Sequence, residues 1–121
     1  MPSPYLVNGQ LSARAKRGEA LFQKAKCATC HGPEGKSPTG EQLWTDLKLY
    51  DLGLGTGTEA GRKFDTPTLA ECWRTAPYLY DGRALTMEEV LTVANPGDKH
   101  GETSKLSKEE IKDLAEYVLS L

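Results

Sequence analysis

The 121-residue sequence is poor in the groups that let a small chain build a core unaided. Aromatic residues make up 7% of it and hydrophobic residues 38%, and a chain of this length buries only about two thirds of the surface that its unfolded form exposes. A core of side chains alone is short of volume, and a buried prosthetic group would supply it. Cysteine is scarce and odd in number, at three, which excludes a disulfide scaffold. No apolar run approaches the roughly 20 residues that span a bilayer, and the N-terminal "MPSPYLVNGQ" has neither the basic nor the long apolar segment of an export signal. A net charge of −2 with acids and bases interspersed leaves no basic stripe for nucleic acid and no cationic face for a membrane, so both are excluded as partners. Histidine and methionine number two each; a metal ligand of the imidazole or thioether kind therefore has few candidates.

The length suits one domain, residues 1–121, with residues 1–11 as an extended segment containing Pro2 and Pro4. Ser12 is an N-cap for a helix over 13–26, with Ala15, Gly18, Leu21 and Phe22 on one face. Residues 32–67 are rich in Gly, Pro, Thr and Asp, and only a short amphipathic turn over 41–47 is expected there. A loop of this length inside a small domain needs an anchor. Thr66-Pro67-Thr68 starts a second helix through about 75, stopped by Pro77. Thr86 with Glu89 is a capping box for a helix over 87–94, and Ser107 with Glu110 is another, for a helix whose Ile111, Leu114, Ala115, Val118 and Leu121 repeat at helical spacing. No segment alternates with period two, and the fold reads as all-α with long loops.

The chemistry is concentrated in "CATCH", Cys27 to His31. In C-x-x-C-H two thiols can add to the two vinyl groups of one haem, and the adjacent imidazole then lies under the iron. A thiol redox pair wants a βαβ context, which is absent here. A zinc half-site would need further ligands, and only Cys72 and His100 are available, both far away in sequence. "GLGTG" at 53–57 is not a nucleotide loop, because no strand precedes it and no helix with a phosphate-facing lysine follows.

The order of helix, C-x-x-C-H, long loops and C-terminal helix resembles the class I cytochrome c fold over nearly the whole chain. "FDTPTLAECWRTAPYLYDGRALTMEEVL", residues 64–91, resembles a distinctive segment of the haem domains in the bacterial dihaem cytochrome c peroxidase and MauG superfamily. The resemblance implies an all-α, class I-like fold wrapped around one haem c attached through Cys27 and Cys30, with His31 as proximal ligand. It also implies one-electron transfer in the periplasm with redox proteins as partners, the export signal being absent from this sequence. With a single C-x-x-C-H, the chain looks like an electron-transfer haem domain rather than a two-haem enzyme. The alternative is a peroxidase-like or gas-binding protein with a displaceable sixth ligand. In such a fold the first and last helices cross, and Gly18 and Phe22 would meet Leu114 and Tyr117.

Pro67, Leu69, Trp73, Tyr78 and Leu85 are apolar enough to line the haem pocket, and Arg74 and Arg83 match the carboxylate geometry of haem propionates. Lys24, Lys26 and Lys36 flank the motif and are candidates for docking an acidic partner. For the distal side of the iron the choice lies among His100, Met87, Cys72, Tyr80 and an open site. Met87 begins a capped helix in phase with Val90 and Leu91 and reads as core; Cys72 reads as a small buried hydrophobe. Class I cytochromes take the distal ligand from the loop just before the C-terminal helix, and His100 stands seven residues before Ser107. His100 is the expected ligand and Met87 the alternative. Peroxidase-type domains carry Met or, in MauG, Tyr in this role, so a histidine is a departure that implies a lower potential than His/Met ligation would give.

Overall fold

The computed structural model describes residues 1–121, the side chain of Pro33 apart. The Ser12 hydroxyl accepts the Ala15 N–H at 3.0 Å and also donates to Glu116 near the opposite end of the chain. Helix α1, Ala13–Lys24, follows, two residues shorter than the sequence suggests. The reason is a Schellman ending: the Cys27 N–H bonds the Phe22 carbonyl and the Lys26 N–H that of Gln23, both at 3.0 Å, with Lys26 left-handed at φ 65°. That turn starts α2, Ala28–His31, directly from Cys27. The haem-type motif is thus a single helical turn fixed at a defined angle to α1.

Helix α4, Lys108–Leu119, carries the complete Ser107–Glu110 capping box. It crosses α1 at Gly18. A Cβ at Gly18 would lie 2.0 Å from the Asp113 carbonyl oxygen and 2.8 Å from the Tyr117 Cβ, so only glycine permits the approach. Phe22 meets Tyr117 edge-on at 5.3 Å between ring centroids, which matches the expected crossing, and Leu114 is fully buried beside it. Helix α3, Met87–Leu91, also packs on α4 and stops short of residue 94. Its Thr86 cap accepts the Glu89 N–H, while the Glu89 carboxylate reaches back to the Leu85 N–H.

Three expectations give way to tertiary pairing. Residues 67–75 hold no α-helix, only a 3-10 turn at Cys72–Arg74 preceded by left-handed Glu71. Their backbone donors are used elsewhere, Leu69 N–H on the Leu43 carbonyl and Glu71 N–H on that of Leu121, and a helix would withdraw them. Residues 41–47 form no amphipathic turn either, because Trp44 and Leu47 are left-handed at φ 59° and 61°. The fold is also not wholly helical: strands β1, Leu49–Tyr50, and β2, Phe64–Asp65, pair antiparallel with Leu49 opposite Asp65. Two-residue strands are too short to leave a period-two signal.

Trp44 is the anchor that the long loop requires. Its indole is buried, edge-on to Phe22 at 5.9 Å and to Tyr117 at 6.1 Å, and its backbone N–H donates to the Gly35 carbonyl at 2.8 Å. Gly35, at φ 72°, lies so close that a Cβ would meet the indole at 2.5 Å. The loop therefore closes on the α1–α4 crossing rather than on a helix of its own.

Candidate haem-binding site

A cavity of about 520 Å³ opens between α2, the loop after α3 and the strand pair, within the size range of cofactor sites. Phe22, Leu69, Val90, Leu91 and Val118 supply apolar wall. The whole "CATCH" turn contributes Cys27, Cys30 and His31, and His100 faces them from the far side. Both motif thiols are free and half-buried. Burial pushes Cys27 up to about 11 and raises Cys30 in the same direction, which keeps them as thiols at neutral pH.

His31 is oriented by the chain. Its Nδ1 lies 2.7 Å from the Trp44 carbonyl, which can only accept, so Nδ1 carries the proton and Nε2 is left with the lone pair. Burial lowers the His31 pKa, against the opposing pull of that carbonyl. His100 is lowered further, to about 4, by burial and by the neighbouring His31. Both imidazoles are therefore neutral at pH 7, the form that binds a metal.

The two rings have centroids 6.4 Å apart and planes inclined by 35°. Two imidazoles bound trans to one metal, each at about 2.0–2.1 Å from a ring nitrogen, would place their centroids roughly 6–6.5 Å apart. No hydrogen bond among the described residues reaches the His100 ring, and its Nδ1 is buried without a partner. A covalent haem c fits this residue set, in which Cys27 and Cys30 would hold it and His31 and His100 would face it: two thiols and an oriented imidazole on one side, an unsatisfied imidazole opposite, apolar walls between.

The other residues singled out in the sequence divide cleanly. Pro67, Leu69 and Tyr78 line the cavity, as do Met87, Tyr80 and Cys72. Trp73 and Leu85 do not, Leu85 being 69% exposed and Trp73 half-buried outside the wall with its Nε1 unpartnered. The two arginines are also absent from the wall. Arg74 is held by Glu71 at 2.6 Å, and Glu71 also takes the chain's N-terminal ammonium. Arg83 forks onto Asp81 and donates to the Leu54 carbonyl at 2.6 Å. Each arginine is engaged by a neighbouring carboxylate, and Arg83 meets the rim of the cavity through the Leu54 carbonyl and the Tyr80 ring. Of the three lysines only Lys26 reaches the cavity, and it pairs with Glu102 at 2.8 Å. Sequence reasoning missed the Trp44 carbonyl and Asn95, whose amide holds the His100 loop. A backbone acceptor in a loop leaves no mark on sequence, and Asn95, followed by Pro96 and Gly97, has the pattern of a plain helix break.

Residues 15–121 match the family described as cytochrome c. Hydrazine synthase subunit gamma of Kuenenia stuttgartiensis is 39% identical over 88 residues, 72% of this chain and 23% of that protein. The methylamine utilization protein MauG of Methylorubrum extorquens is 31% identical over 132 residues, 92% of this chain and 35% of that protein. In three dimensions, a hydrazine synthase of Kuenenia stuttgartiensis pressurised with xenon superimposes with a TM-score of 0.85 at 27% identity, covering 100% of this chain and 50% of that one. The chain thus spans a quarter to a third of these curated relatives and half of the solved chain. Sequence, fold and cavity agree: the chain belongs to the cytochrome c family, carries a covalently bound haem c, and resembles the haem domains of the MauG and cytochrome c peroxidase superfamily.

Proposed function

We propose that this chain is a periplasmic one-electron carrier whose haem c is attached through Cys27 and Cys30 and held between His31 and His100. The observation that carries the reading is the pair of neutral imidazoles facing each other across the cavity at 6.4 Å. When bound, the haem supplies an iron that passes between ferric and ferrous states.

The chain's own residues do the rest. The Trp44 carbonyl takes the His31 Nδ1 proton in a hydrogen bond and so aims Nε2 into the cavity. Cys27, at the N-cap of α2, and Cys30, within it, present two thiols to the same cavity as that ring. Apolar wall residues keep water away. Were both imidazoles to hold the iron, a substrate would find no open position there, and this favours electron transfer over chemistry at the iron. Redox proteins are the partners that such a carrier needs.

A second reading rests on the relatives: one is a subunit of a hydrazine synthase and another a MauG. In that reading His100 leaves to open a reactive site, and its unbonded ring is the feature in favour. Carbon monoxide separates the two. A carrier in the reduced state binds it slowly or not at all and turns over no peroxide; rapid binding with peroxide turnover would overturn the carrier assignment.

A further inference from the structure

We propose that Asn95 is the positioning residue for the distal ligand, its buried side-chain amide clamping the 95–103 loop so that His100 stays within reach of the iron. The inference rests on the His100 ligation proposed above and deepens it. Asn95 is 6% exposed in a loop that otherwise reads as polar connection. Its Oδ1 accepts the His100 backbone N–H at 2.8 Å. Its Nδ2 donates to the Gly101 carbonyl and to the Thr103 Oγ1, both at 2.9 Å. One side chain therefore uses both donors and an acceptor to hold His100 and the residues that follow it, Gly101 and Thr103.

The clamp is tied to the rest of the fold at two points. Thr103, itself buried, donates from Oγ1 to the Leu91 carbonyl at the end of α3, at 2.6 Å. The Glu102 N–H bonds the Ala25 carbonyl at 2.9 Å, which brings the loop against the end of α1 just before Cys27. Gly101, left-handed at φ 87°, lies in the turn of this approach, in ordinary contact distance of the Ala25 carbonyl and the Cys27 sulfur.

The contrast between the two histidines gives the clamp its importance. The His31 ring is fixed by its own hydrogen bond to Trp44, whereas the His100 ring has none among the described residues. A ligand imidazole is ordinarily oriented through its second nitrogen. At His100 that role passes to the backbone, and the backbone is held by Asn95. Loss of the amide frees the ligand without touching it.

The test uses the haem-loaded protein with four variants, Asn95→Leu, Asn95→Ser, Ser104→Ala and His100→Ala. Asn95→Leu keeps the branched shape at a larger volume and removes all three bonds; Asn95→Ser, smaller and polar, serves where Leu fails to fold. Ser104→Ala removes an exposed bond to Asp98 in the same loop and reports on loosening in general. Carbon monoxide association to the reduced protein and the spin state of the oxidised protein are the readouts, with circular dichroism checking the fold. The Asn95 variants should bind carbon monoxide about tenfold faster or more, the scale set by one lost buried hydrogen bond. They should also show a high-spin fraction that added imidazole removes, and Ser104→Ala should match wild type. If His100→Ala turns high-spin while Asn95 variants keep wild-type rates and spectra, the clamp is wrong and the ligation stands. If Ser104→Ala opens the site as readily, no special role belongs to Asn95. If His100→Ala leaves the spectrum unchanged, both inferences fall.

Discussion

Gly18→Ala sets two well-known tendencies against each other at one position. In a helix interior, glycine to alanine gains about 1 kcal/mol of helix propensity. At the α1–α4 crossing the new Cβ would lie 2.0 Å from the Asp113 carbonyl oxygen and 2.6 Å from its carbon. These are backbone atoms of a capped helix and cannot swing aside as a side-chain end would, so the helices have to part. Overpacking costs about 1–3 kcal/mol, and a clash with backbone atoms belongs at the upper end, about 2–3 kcal/mol; parting the helices also loosens the Phe22–Tyr117 contact at 5.3 Å. The cost exceeds the gain, and the net expectation is destabilisation by about 1–2 kcal/mol, or a Tm lower by roughly 4–10 °C for a domain of this size. Thermal and guanidinium unfolding of the haem-loaded protein, followed by far-ultraviolet circular dichroism, measures it. A Tm equal to or above wild type would mean that propensity wins, and that the helices do not touch backbone to side chain at Gly18.

Four further outcomes follow from the same structure. Denatured holoprotein should show one free thiol per chain, that of Cys72, and native holoprotein none toward a bulky thiol reagent; three thiols would refute attachment through Cys27 and Cys30. Burial raises the Cys72 thiol from 9.0 to about 11, so its stabilising term is complete below pH 9 and is lost as pH rises toward 11, by at most about 1.4 kcal/mol per pH unit. Cys72→Ala should flatten that part of the alkaline stability loss in denaturant titrations. Trp44→Ala should cost about 3–5 kcal/mol in the same titrations, since the indole packs on both Phe22 and Tyr117. Arg74→Gln and Arg83→Gln should leave the midpoint potential unchanged by spectroelectrochemistry, because each guanidinium is already engaged by a neighbouring carboxylate.

The parts of this fold that were legible in sequence are those held by local rules. Ser107 and Glu110 announce α4 because their two capping bonds close within four residues, and Ser12 announces α1 in the same way. Cys27, Cys30 and His31 are legible because covalent attachment demands that spacing, and His100 because few other candidates exist. Residues 67–75 misled because Thr-Pro-Thr is a good helix start in isolation, whereas their amides are claimed by Leu43 and Leu121. Arg74 and Arg83 have carboxylates, Glu71 and Asp81, within three residues in sequence, and the structure pairs them with those. Trp44 was not legible in its role, since a left-handed backbone lets it turn its indole into the core and its carbonyl onto His31.

Electron paramagnetic resonance and visible spectra of the oxidised protein, wild type beside His100→Ala, bear most directly on the iron's ligation. Two axial imidazoles give a low-spin wild type, a high-spin His100→Ala, and return to low spin when free imidazole is added. A thioether charge-transfer band in the wild type, kept in His100→Ala and lost in Met87→Ala, would assign the distal side to Met87 instead.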